Sequence, residues 1–170
     1  MKRFISKIPY LAIFFVGIIL DFIVKYIVRT NMKIGDTIPL IKGVFHITYT
    51  ENTGAAFSML SDKTTLLSVV TVAVVGLLLF LLLSNKIRGR FACVLVALIA
   101  SGGTGNLIDR IFRGSVTDMF DFRLINFAIF NVADIFVTCG ALLFIIVFFV
   151  SKGEVLQWNL SQEKKMKEKD

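Results

Sequence analysis

The stretch "FACVLVALIASGGTGNLIDRIFRGSVTD", Phe91 to Asp118, passes from an apolar run into a glycine cluster and then into charge. Gly102, Gly103 and Gly105 crowd together as they would in a phosphate-binding loop. The context excludes that reading. A phosphate loop follows a strand, opens a helix and carries Lys then Ser or Thr. Here the glycines close an apolar segment with the character of a membrane helix. They read instead as small residues that let another helix, or a substrate, approach closely. The residues that follow, Asn106, Asp109, Arg110 and Asp118, are then the feature to explain, because a purely structural loop has no need of them.

Working outward, the whole chain has the composition of a membrane protein. Hydrophobic residues make up 56% of its 170 residues and charged ones 18%, and the mean hydropathy is +0.79. Soluble domains run at about 45–50% apolar and about 25% charged. Four apolar stretches, about residues 8–28, 64–84, 91–108 and 127–150, approach or exceed the ~20 residues that cross a bilayer. All four are expected to be helices, since an open strand edge in lipid leaves backbone groups unsatisfied. "MKRFISK" followed by an apolar run suggests a signal peptide. No small-residue cleavage site follows, however, and the run ends in Asp21 and Lys25, so it reads as an uncleaved span.

Four spans place both termini on one side. Lys2, Arg3 and Lys7, then Lys86, Arg88 and Arg90, then Lys152 and the lysines of the tail all fall on that side. With the few acids there, they account for the entire net charge of +7. Both termini are therefore predicted to be cytoplasmic. The basic balance points to orientation and anionic lipid, not to nucleic acid. Residues 1–160 read as one four-span domain and residues 161–170 as a charged, disordered cytoplasmic tail. Of the two longer loops on the opposite side, "IPLIKGVFHITYTEN" reads as one or two strands. "TGAAFSMLSDK" reads as a short amphipathic surface helix. Cys93 and Cys139 sit in apolar runs and His46 is the single histidine, so neither a disulfide framework nor a histidine-based metal site is expected. His46 itself reads as a packed or surface residue.

Ionisable groups within a bilayer are costly, so each marks a candidate site. Asp21 and Lys25 fall in the last third of the first span. Asn106, Asp109 and Arg110 end the third, and Asn131 and Asp134 open the fourth. With alternating span directions, all of them reach one level, near the outer surface, together with Asn52 and Asp118 of the outer loops. Asp21 and Lys25, four apart with the acid first, form a favourable helical ion pair that reads as a tether of the bundle. Asn131 and Asp134 share a helix face, and Asn131 suits a helix cap. Asp134 stands among Val132, Ala133, Ile135 and Phe136 and calls for a partner. Asp118 is the first candidate and Asp121 its rival. Two neighbouring carboxylates share one proton. One can then act as a general base on water while the other polarises a carbonyl, which hydrolyses a peptide bond without metal, Cys or a Ser–His pair.

Taken together, Asp21-xxx-Lys25, "ENTGAAF", "GGTGNLIDRIFRGSVTD" and "FNVAD" resemble the lipoprotein signal peptidase (signal peptidase II) family, across nearly the whole chain. The resemblance implies four transmembrane helices, an extracytoplasmic β-cradle and a short surface helix. It implies a cofactor-independent aspartyl protease of the bacterial cytoplasmic membrane, expected to be a monomer. Such an enzyme cuts prolipoprotein signal peptides before a cysteine that carries diacylglycerol. It makes Asp118 and Asp134 the catalytic pair. It also places Asn52, Gly54, Asn106, Arg110 and Asn131 where they line or order the site, and Asp21 and Lys25 at the first-span pair. Two motifs depart from the family pattern: Phe22 stands where many members carry Gln, and Ile135-Phe136 where small residues are common. The rival readings are a small transporter using Asp21, Lys25 and Asp134, and a non-enzymatic assembly factor. The apolar inner halves of the spans argue against conduction.

Overall fold

The computed structural model describes residues 6–54, 63–125 and 127–156. In chain order these form α1 (Ile8–Asn31), β1 (Thr37–Ile41), β2 (Phe45–Asn52), α2 (Thr64–Leu83), α3 (Arg90–Arg113), β3 (Val116–Phe122), a 3-10 turn (Arg123–Ile125) and α4 (Val132–Val150). The four α-helices are each long and apolar enough to cross a membrane. The surface helix expected over residues 53–63 falls mainly on residues 55–62, outside the described residues, as does the tail 161–170.

α3 is the hub, packed against α1, α2 and α4. It is also the most enclosed of the four. The outer helices turn Phe15, Leu20, Val69, Phe80, Ile145 and Ile146 outward. Lipid solvates such side chains as well as a core does, so close packing of small residues has to hold the helices together. The opening glycines supply it, each toward a different helix. A methyl group on Gly102 would collide with the Ala133 carbonyl of α4, and one on Gly105 with the Asp21 carboxylate of α1. One on Gly103 would stand 2.8 Å from Val75 of α2.

α1 is amphipathic in the inverted sense. Its buried stripe is Phe14, Gly17, Asp21, Lys25 and Val28, spaced by three or four residues. The stripe therefore carries the polar groups inward while the apolar face looks out.

The three strands form an antiparallel sheet in the order β1-β2-β3. β1 and β2 lie in the loop where strands were expected. β3 was not anticipated. Thr117 and Met119 face α1, where Met119 packs with Val28 and Tyr49. Val116 and Asp118 face a cavity between the helix ends. Both faces of β3 are buried, so no apolar–polar alternation marks it in sequence. Its free edge is covered by Phe130, which exchanges backbone hydrogen bonds with Phe120 at 2.8 and 3.1 Å. This pairing holds the chain ahead of α4 in extended form and delays the helix until Val132. α3 in turn continues through Asp109 and Arg110 to Arg113, where Gly114 ends it at φ 76° in the left-handed region, its N–H on the Arg110 carbonyl.

Candidate active site

The site lies where β3 crosses the ends of α3 and α4. In the register of the sheet, Thr50 is opposite Asp118 and Asn52 opposite Val116, with a bulge between Ile47 and Thr50. This brings the Asn52 amide to Asp118, donating to Oδ2 at 3.1 Å. From α4, Asn131 donates to Asp118 Oδ1 at 2.6 Å. Asn131 is also the N-cap of α4 and forms a reciprocal capping box with Asp134. The Asp134 N–H donates to Asn131 Oδ1 at 2.9 Å, and the Asn131 N–H to Asp134 Oδ2 at 3.1 Å. The other oxygen of Asp134 accepts from Asn106 of α3 at 2.8 Å. Two asparagines in contact, Asn131 donating to Asn106 at 3.1 Å, thus join the two carboxylates. Asp118 and Asp134 line one cavity of about 410 Å³ with Asn52, Asn106 and Arg110.

Arg110 reaches across this cavity mouth and donates to the Gly54 carbonyl at 3.1 Å, while the Gly54 N–H donates to Asn52 at 2.9 Å. Burial, and then the nearby Asp134 charge, push the Asp118 carboxyl up to about 7. Asp118 is thereby disposed to keep a proton closer to neutral pH than an ordinary aspartate. With Asp134 lining the same recess, the site offers two carboxyls to a bound water and a carbonyl, a combination suited to general acid–base chemistry.

A family model described as Signal peptidase (SPase) II matches residues 13–150. The chain belongs to the signal peptidase II family. It is similar to the lipoprotein signal peptidase of Fusobacterium nucleatum, 38% identical over 86% of this chain and 90% of the relative. It is likewise similar to that of Halothermothrix orenii, 45% identical over 76% of this chain and 87% of the relative. A solved bacterial membrane enzyme structure, obtained by the in meso method at 2.3 Å, superposes with a TM-score of 0.80 at 32% identity. The match covers 89% of this chain and 94% of that one. Membership of this family supports a protease.

The fold brings together Asn52, Gly54, Asn106, Arg110, Asp118, Asn131 and Asp134. Asp21 and Lys25 lie behind them: the two pair at 2.8 Å, and both are almost wholly buried. The rival carboxylate, Asp121, points elsewhere. Three residues along a strand invert the face. Asp121 accepts from Thr48 at 2.6 Å and pairs with Arg123 at 2.8 Å. Burial raises its pKa, but these partners outweigh it and hold the carboxyl below its ordinary value. His46 serves the β1–β2 turn, its Nε2 accepting from the Gly43 N–H at 3.2 Å. Sequence reasoning overlooked Arg29, which pairs with Asp109 at 3.0 Å and donates to Thr117 at 3.2 Å. An arginine closing a span reads as an interfacial anchor. The available signal was its spacing, because Asp21, Lys25 and Arg29 fall four apart on one face.

Proposed function

We propose that this chain is an aspartyl endopeptidase that removes the signal peptide from diacylglyceryl-modified prolipoproteins, cutting just before the lipidated cysteine. The observation that carries the reading is the convergence of Asp118 and Asp134, from β3 and α4, on one recess at the end of a four-helix membrane bundle. Family membership supports a peptidase acting on lipoprotein precursors. In the mechanism, the ionised member of the pair takes a proton from water as that water attacks the scissile carbonyl. The protonated member hydrogen-bonds the carbonyl oxygen. Collapse of the tetrahedral adduct breaks the C–N bond, and the amine of the cysteine leaves with a proton returned by the carboxyl pair. No cofactor enters this cycle.

Residues 1–160 act as one protease domain, with the termini cytoplasmic and the sheet and site at the outer surface, in the order that the basic flanks favour. A substrate whose signal helix lies in the bilayer could then keep its acyl chains in lipid while its scissile bond meets Asp118 and Asp134. Asn52, Asn106, Arg110 and Asn131 order the recess, and a single chain supplies every group the reaction uses, so the enzyme works as a monomer. The test is cleavage of a diacylglyceryl prolipoprotein by the purified protein in bilayers. Asp118→Asn and Asp134→Asn should each abolish it in a folded protein, and a chelator should leave wild-type turnover intact. Near wild-type turnover in either variant would remove the assignment.

A further inference from the structure

Behind the carboxylates lies a buried charge cluster that the mechanism above does not use. The Lys25 ammonium meets Asp21 at 2.8 Å and Asp109 at 3.5 Å. Each acid is also held from elsewhere. Asp21 accepts from the Ala133 N–H of α4 at 2.9 Å, and Asp109 from the Thr117 N–H of β3 at 3.0 Å and from Arg29 at 3.0 Å. Two acids and two bases balance, which is enough to account for a structural tether. One further contact is not needed for that balance. Lys25 also donates to the Asn106 Oδ1 at 2.8 Å.

That contact decides how Asn106 stands. A carboxamide can be turned over, exchanging its oxygen and its NH2 group, but an ammonium can only donate. Lys25 therefore fixes the oxygen of Asn106 toward itself. Asn131 donates to the same oxygen at 3.1 Å, and Asn131 is itself held by the Asp134 N–H. The NH2 group of Asn106 is thereby directed at Asp134 Oδ1. Turned over, Asn106 would set its NH2 against an ammonium and a second NH2, and its oxygen against a carboxylate.

We propose that Lys25 is a positioning residue for the carboxylate pair: by orienting the Asn106 amide, it aims a hydrogen-bond donor at Asp134 and fixes the Asn106–Asn131 bridge to Asp118. This rests on the Asp118–Asp134 reading given above. The step is one of orientation only, and Lys25 touches no reacting atom.

The experiment compares Lys25→Met, the double variant Asp21→Asn/Lys25→Met, and Asn106→Ala with and without Lys25→Met, all as full-length protein in bilayers with a diacylglyceryl prolipoprotein. Lys25→Met strands Asp21 and should lower the Tm. The double variant removes both charges, keeps an oxygen for the Ala133 N–H and should recover the Tm. Its kcat should stay down roughly 10- to 100-fold, as for loss of a charge-assisted hydrogen bond, with KM changed by less than about 2-fold. In the Asn106→Ala background, Lys25→Met should cost little further kcat. Wild-type kcat in the double variant, or additive losses from Lys25 and Asn106, would reduce Lys25 to a tether. That failure is distinct from failure of the carboxylate assignment, which shows as turnover surviving in Asp118→Asn or Asp134→Asn.

Discussion

The two ends of the same helix bundle are built on opposite principles. At one end Phe14, Leu82, Ala92, Val96 and Ala97 form an apolar cluster, closed over by the β-bridge from Ile87 to Leu156. At the other, Asp21, Lys25, Thr117, Asp118 and Asn131 are each no more than 2% exposed, comparable to that apolar cluster. The side chains of the apolar end are held by shape, since lipid offers Leu82 as good an environment as the protein does. The polar end is held by specific pairing, because lipid offers its groups none. The first tolerates substitutions that keep volume. The second fixes side-chain directions, which catalysis requires.

The largest effect expected is at the polar end. Asp118→Asn should lower turnover by roughly 10²- to 10⁴-fold, the range for losing a general acid or base. It should do so without lowering the Tm at pH 8. The sign follows from linkage. Asp118 binds its proton more tightly folded, at about 7, than at its ordinary 3.8. The stability this contributes is fully present below the ordinary value and is lost as pH rises through about 7. The Asp118→Asn substitution should remove this contribution, and a fall in Tm between about pH 4 and 7 that is the same in variant and wild type would mean that Asp118 does not bind its proton more tightly on folding.

Gly105→Leu comes next. It drives a side chain into Asp21 and should cost about 3 kcal/mol, read as loss of folded protein in detergent. Full retention would mean that α1 and α3 are not closely packed. Leu82→Ala, at the apolar end, should cost about 2 kcal/mol through cavity formation, the low end of the range because lipid supplies no transfer term. Its kcat at low temperature should match wild type, and a selective loss of kcat would break the division between the two ends. Asp121→Asn should change kcat by less than about 2-fold and stability by less than about 0.5 kcal/mol, as for a partly exposed pair. A large loss of turnover would reinstate it as a site carboxylate.

Local reading went far because the strongest signals here are compositional. Four helices, their approximate limits and the level at which polar residues collect all follow from the cost of burying unpaired polar groups in lipid. Even the glycine cluster was readable as a packing device. Which helix each glycine serves was not, because adjacent positions on α3 face different neighbours. β3 escaped notice because both of its faces are buried, and Arg29 because its position also suits an anchor.

The choice between Asp118 and Asp121 marks the boundary most clearly. Both are aspartates in the same short, charged segment, and composition treats them alike. Only when that segment becomes a strand does its period of two send Asp118 toward Asn131 and Asp134 and Asp121 toward Arg123. The sequence by itself determined that this is a membrane bundle with a polar layer at one end, because hydropathy and charge spacing are local properties of the chain. The tertiary structure alone decided which carboxylates meet and which amides join them. Those contacts link residues as distant as Asn52 and Asp118, 66 positions apart, and depend on directions that no local pattern encodes.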